Sequence, residues 1–541
     1  MSEGLGTITS ARAELESPPS KSIFDQTLIL LLTALGGVAL ILIVLVPLHF
    51  LPAEDAAILF QYSRNLASHG AITFLANGPR VEGATDFAWM ALVAAGMRVG
   101  LAPLWTTTLF NVVSILTIAA LLLRLADLRL TVRRLLLITG SIALVPQILA
   151  AASGFAVLTD AALLTALVFC TVKGRVAPAA LFALALCLFR PDGVLFVAPL
   201  LAGLIVQSPS RGRSSAVIGG FFVVPGVLYF LWRWHYFGEF LPLPFLVKSD
   251  TPRFAGLFVP KSIHDSLVYL EFAAILIAPL LILRRAKHLW LTIPLVLCPT
   301  LFYWAMRLDQ NVGGRFFFYI PLFAAILLAL NWVELSTSQV VVLRTGLIAW
   351  LVLLGGPQWR EIRTFRDGQF TEVKAISEAL GRLPVRGTIL TSEAGFLPYF
   401  SGWTTYDAWG LNTPTFAHRF FQSSDVVALA PDLIVFHPDW TESCVASPSS
   451  SNYTARTWQH LTRNLVFGAA QAHYELWLTS YGSEFYRQRK HWQYGEGDRE
   501  CWLVRTDSPL HGEIAQILQQ HHGIEPEQSL NLEKLHDQVQ R

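Results

Sequence analysis

Carboxylates and basic side chains gather in a few short polar segments of an otherwise apolar chain. Glu54 and Asp55 directly follow a stretch, 27–53, that contains no Asp, Glu, Lys or Arg. Arg64, the run Arg80-Val81-Glu82-Gly83 and Asp86 come next; further along lie Arg190 with Asp192, then Lys248, Asp309 and Arg315. A carboxylate where an apolar wall meets water suits a general base, because partial desolvation raises its proton affinity. Guanidinium groups grip a phosphate with two parallel N–H donors, and an ammonium adds a point charge. The chemistry on offer is proton abstraction beside a phosphate clamp. Glu82, Asp86, Asp192 and Asp309 suit sugar hydroxyls or a divalent cation, and the spacing does not separate the two. Taken singly, each residue has a plainer reading: an acid that ends a helix, or a cation against lipid headgroups.

The composition says what must position them. Of 541 residues, 53% are hydrophobic and 14% charged, with a mean hydropathy of +0.48. Soluble domains carry about 25% charged residues, so the soluble-enzyme and disordered classes are excluded. A net charge of +2, without a basic run interleaved with aromatics, argues against a nucleic-acid partner. The five cysteines form no CxxC and no Cys/His pair at zinc spacing.

Apolar blocks at 27–53, 104–123, 135–151, 155–172, 176–189, 193–207, 215–234, 266–283, 289–306, 316–333 and 340–356 predict eleven spans. The shorter stretch 90–103, interrupted by Arg98, reads as half-inserted. With eleven spans and a cytoplasmic N-terminus, four basic clusters fall together on the cytoplasmic side: 124–134, 173–175, 211–213 and 284–287. The acids and cations named above then share the outer face. The polar segment 1–26 is expected to be a disordered cytoplasmic tail, and 27–356 a membrane module whose first outer loop is 54–103. Residues 357–541 alternate helical and strand patterns, as in an α/β domain outside the membrane. The fold class is a polytopic α-helical membrane protein with a C-terminal α/β extracytoplasmic domain. Cys444 and Cys501 sit in that domain, either disulfide-bonded or as two unpaired core residues. Trp403, Tyr406 and Trp409 suit core packing or stacking on sugar rings.

Several segments carry a family resemblance. Glu54-Asp-Ala, Tyr62-Ser-Arg-Asn-Leu and Arg80-Val-Glu-Gly-Ala-Thr-Asp-Phe-Ala-Trp89 resemble the first outer loop of GT-C class membrane glycosyltransferases that use polyprenyl-phosphate sugars. The likeness is greatest to the group of the mycobacterial terminal arabinofuranosyltransferases. Arg190-Pro-Asp-Gly, Gly238 to Lys248, and Asp309 to Phe316 resemble later motifs of that group, in order. So do Glu393-Ala-Gly-Phe-Leu-Pro-Tyr and Tyr406-Asp-Ala-Trp-Gly-Leu. Glu54 replaces the group's Asp, Asp86 its Asn, and Ala84 an aromatic residue, while the acid and cation positions are kept.

The resemblance implies a GT-C-like module of about eleven helices in the plasma membrane of a bacterial cell. It implies an inverting transfer of a pentofuranose or hexose from a polyprenyl-phosphate donor to a cell-envelope glycan or lipid. Asp55, oriented by Glu54, would be the base, with Arg190, Lys248, Arg315 and Arg64 on the donor phosphate. The need for a divalent cation stays open. A transporter or flippase would require charged residues lining its spans and repeated halves, and the chain shows no internal repeat. A non-catalytic anchored binding module would not require a polar set facing the membrane.

Overall fold

Helices fill the first part of the chain and an open sheet the last. The computed structural model describes residues 52–249 apart from 144 and 146, 262–270, 274, most of 288–345, 371–437, 444, 458–480, 499–521 and 524–526. The first outer segment forms helix α1 (Glu54–His69) and helix α2 (Phe87–Arg98). Among the described residues three helices are long and apolar enough to cross a membrane: α3 (Pro103–Leu125), Arg211–Phe237 and Val312–Leu330. Shorter apolar helices follow the same pattern, among them α4 (Val157–Val172) and α5 (Val176–Phe189).

Among the described residues, not all of the expected spans are full-length helices. The blocks 27–53, most of 266–283 and most of 340–356 lie outside the described residues. The block 135–151 contains two shorter helices, Val132–Ala143 and Gln147–Ala152. The 312–330 segment becomes regular helix only at Tyr319, because Gly313 and Gly314 are left-handed. Helix α2 has 12 residues, about 18 Å, too short for a hydrocarbon core of about 30 Å. Ile118, Leu167, Ala183, Leu200 and Ile326 build one apolar core among the membrane helices.

Among the described residues the C-terminal domain holds a six-stranded sheet, in the order β2-β1-β3-β5-β4-β6. Strands β1 (Thr388–Thr391), β2 (Thr404–Asp407) and β3 (Leu433–Phe436) are parallel. Strands β4 (Tyr474–Ser480), β5 (Arg499–Arg505) and β6 (Ile524–Pro526) add an antiparallel half. Side chains alternate between two buried faces, as the pleat requires. Leu433 and Val435 join Trp502, Val504 and the helices 371–382 and 511–520 on one face. Ile434 and Phe436 join Cys501, Leu503 and the helix Trp458–Gln471 on the other. Cys444 and Cys501 are disulfide-bonded, with Cα atoms 5.9 Å apart.

Candidate active site

Helix α1 begins with its two acids in the first turn, where the helix dipole favours negative charge. Its entry is fixed by the Ala53 N–H, which donates to the Ser153 carbonyl at 2.8 Å. Asp55 Oδ2 accepts a hydrogen bond from Arg315 Nη2 at 2.6 Å. The Asp55 side chain keeps 28% of its surface open while that of Arg315 keeps 9%. The Arg315 guanidinium lies over the ring of Phe155, 3.9 Å from its centroid, and near the Phe316 ring as well. The left-handed pair Gly313 and Gly314 turns the chain to bring Arg315 there. A Cβ on Gly314 would lie 1.9 Å from the Tyr269 hydroxyl, so the turn requires glycine.

A second group stands beside the first. Arg190 forks onto Asp192, with Nε and Nη2 each 2.7 Å from a carboxylate oxygen. The Tyr303 hydroxyl donates to the same Asp192, and Asp160, 1% exposed, lies 3.9 Å from Arg190. Asp86 links the two groups, since it feels the charges of Arg190, Asp192 and Arg315. Burial pushes its proton affinity up and Asp192 adds to that, against the pull of the two guanidiniums.

Other expected site residues are directed elsewhere. Glu54 accepts N–H bonds from Gly395 at 2.5 Å and Phe396 at 3.0 Å, so its carboxylate anchors the sheet domain to the start of α1. Burial, then the charge of Glu393, holds its pKa well above the usual carboxylate range. A Cβ on Gly395 would lie 2.1 Å from the Glu54 carbonyl oxygen, which only glycine permits. Arg64 donates to the carbonyls of Tyr399 (2.6 Å) and Pro398 (3.3 Å) and not toward the Asp55–Arg315 pair. Helix Phe396–Ser401 is therefore held at its N-terminus by Glu54 and at its C-terminal carbonyls by Arg64. Tyr62 adds a third tie, donating to Asn412 Oδ1 at 3.0 Å. Glu82 forms a buried ion pair with Arg233, at 2.7 Å from its Nε, joining the outer segment to the Arg211–Phe237 helix.

Lys248 sits on the short helix Leu243–Ser249, whose Leu243 and Val247 pack with α1 and α2. Lys248 has no hydrogen-bond or ion-pair partner among the described residues. Asp309 lies outside the described residues. Among the described residues no group of three or more His, Cys, Asp or Glu could hold a metal ion. Asp160, Arg233 and Tyr303 are absent from the sequence-derived set. For the first two the signal was present: a lone ionisable residue inside an apolar block is costly unless it has a role.

Residues 360–498 match a family model described as a domain of unknown function (DUF8728). No curated protein matches the chain. The chain is similar to the structure of ArnT from Cupriavidus metallidurans bound to undecaprenyl phosphate, with a TM-score of 0.54 and 12% identity. That likeness covers 88% of this chain and 98% of the other. The apo structure of the same ArnT gives a TM-score of 0.53 at 15% identity over 75% and 92% of the two chains. The fold is of the GT-C type. The apo oligosaccharyltransferase of Archaeoglobus fulgidus is more distant, with a TM-score of 0.47 at 11% identity over 86% and 74% of the chains. Identities this low establish a helical membrane region with a sheet domain and leave activity to the site itself.

Proposed function

We propose that this protein is a membrane glycosyltransferase that moves a sugar from a polyprenyl-phosphate donor to a cell-envelope glycan or lipid acceptor. The observation that carries the reading is the pairing of Asp55 with Arg315 beside the Arg190–Asp192 group on a GT-C-type fold. An open carboxylate touching a buried guanidinium supports reading the pair as a base beside a phosphate clamp. That the similar ArnT structure is bound to undecaprenyl phosphate supports a lipid-phosphate donor.

Asp55 takes the proton of an acceptor hydroxyl as that oxygen attacks the anomeric carbon. The carbon–oxygen bond to phosphate breaks, and polyprenyl phosphate leaves with the electron pair. Inversion at the anomeric carbon follows from a single displacement. Arg315, Arg190 and Lys248 neutralise the departing phosphate, where fixed positive charge contributes most. Glu54 acts indirectly, by fixing α1 against the sheet domain so that Asp55 stays aimed. Residues 27–356 form the membrane module and 357–541 face the outside of a bacterial plasma membrane, with 1–26 in the cytoplasm. The sugar is a pentofuranose or a hexose.

The test incubates the full chain in lipid nanodiscs with radiolabelled polyprenyl-phosphate pentoses and hexoses and a cell-envelope extract. Transfer of label from one donor to the extract is expected. Absence of binding and turnover for every donor overturns the reading.

A further inference from the structure

The parallel half of the sheet contains a topological switch point. From β1 the chain crosses to β2 through helix Phe396–Ser401, on the face of Leu433 and Val435. From β2 it returns past β1 to β3 through Phe416, Phe421 and Val426, on the opposite face. Beyond β3 it continues on that second face as the helix Trp458–Gln471. The loops after the neighbouring strands β1 and β3 thus leave for opposite faces. Between such strands a crevice opens at the carboxyl ends, and that crevice is where open α/β sheets bind ligands.

The residues at this point are built for a ligand. Glu393 follows β1 and His437 follows β3, and His437 Nδ1 lies 2.5 Å from Glu393 Oε1. Glu393 is 7% exposed, whereas the imidazole is 41% exposed. The Trp458 ring packs tilted against His437, with ring centroids 4.4 Å apart, and Trp409 stands 5.2 Å from Trp458. The Trp458 indole N–H donates to the His437 carbonyl at 3.0 Å, which fixes that ring. An aromatic wall beside a carboxylate–imidazole pair matches a sugar ring, which has an apolar C–H face and a rim of hydroxyls. Glu393 stands two residues before Gly395, whose N–H donates to Glu54 at 2.5 Å, so this end of the sheet lies against the start of α1.

We propose that the β1–β3 crevice, with Glu393, His437, Trp458 and Trp409, binds the carbohydrate part of the acceptor. This assignment rests on the transferase reading for the word acceptor, but the sugar site itself does not. The experiment measures binding of the full chain in nanodiscs to immobilised pentofuranosyl and hexopyranosyl oligosaccharides. Wild type is compared with His437→Ala, Trp458→Ala and Glu393→Gln. The wild type is expected to bind at least one oligosaccharide, and each variant to bind it at least tenfold more weakly. Polyprenyl-phosphate binding, measured alongside, should stay within twofold in His437→Ala, which also shows that this variant is folded. Failure of the wild type to bind any oligosaccharide, or wild-type binding by all three variants, overturns the proposal. Sugar binding in a protein that transfers from no donor keeps the site and removes the transferase reading alone.

Discussion

Arg315 Nη2 meets Asp55 Oδ2 at 2.6 Å across 260 residues of chain, and this contact ties the membrane helices to the first outer segment. On the proposed mechanism one guanidinium would both offset the charge of the base and face the departing phosphate. Arg315→Ala is expected to lower kcat/KM for the donor by about 100-fold or more, the scale of removing one preorganised donor. Arg315→Lys should recover little of it, since an ammonium can neither fork nor stack on Phe155 as a guanidinium does. A loss below about threefold in the alanine variant contradicts this role.

Tyr303 acts one step removed. Its hydroxyl donates to Asp192, which in turn orients Arg190. Tyr303→Phe removes one hydrogen bond, about 1 kcal/mol, so a rise of about fivefold in donor KM with little change in kcat is expected. Steady-state kinetics at varied donor concentration read the split directly.

Gly395 lies where the sheet domain meets the start of α1. Gly395→Ala would press a methyl group on the Glu54 carbonyl, a backbone atom that cannot step aside. A loss of about 2–4 kcal/mol in thermal unfolding is expected, with faster proteolysis of the sheet domain. Gly512 is the control, because a Cβ added there would meet no atom within 4 Å. Gly512→Ala should be neutral or slightly stabilising.

The stability of the sheet domain should also respond to pH. Burial raises the pKa of Asp407 to about 6, although its carboxylate accepts N–H bonds from Trp409, Gly410 and Asn412. Between the ordinary value near 4 and this one, the folded chain holds a proton that the unfolded chain has lost. Stability must therefore fall as pH rises through that window, by about 3 kcal/mol for this group. Asp407→Asn should flatten the slope between pH 4 and 6, read as melting temperature against pH. An unchanged slope would contradict the assignment.

Much of this organisation was legible in the sequence because it follows from composition. Apolar blocks marked the helical part, a shift to mixed polarity after residue 357 marked the sheet domain, and the acids and cations were conspicuous against both. The roles of neighbours were harder to read. Glu54 and Asp55 look alike in sequence, but successive residues on a helix point about 100° apart, so one meets Gly395 and the other Arg315. Arg64 looked like a phosphate ligand because a guanidinium suits any oxygen acceptor, and here the acceptors are carbonyls. Glycines such as Gly313 and Gly314, which turn the chain within an apolar block, are not visible to uniform span counting. His437 and Glu393 are 44 residues apart, and only the pairing of β1 with β3 brings them together.

The most direct test of the account compares wild type with Asp55→Asn in a single-turnover transfer from the donor that the wild type uses. Asparagine keeps the shape and loses the base. Donor binding within about threefold of wild type and transfer slowed by at least about 1000-fold are predicted, the scale of losing a positioned general base. Transfer at the wild-type rate by Asp55→Asn would contradict the central claim.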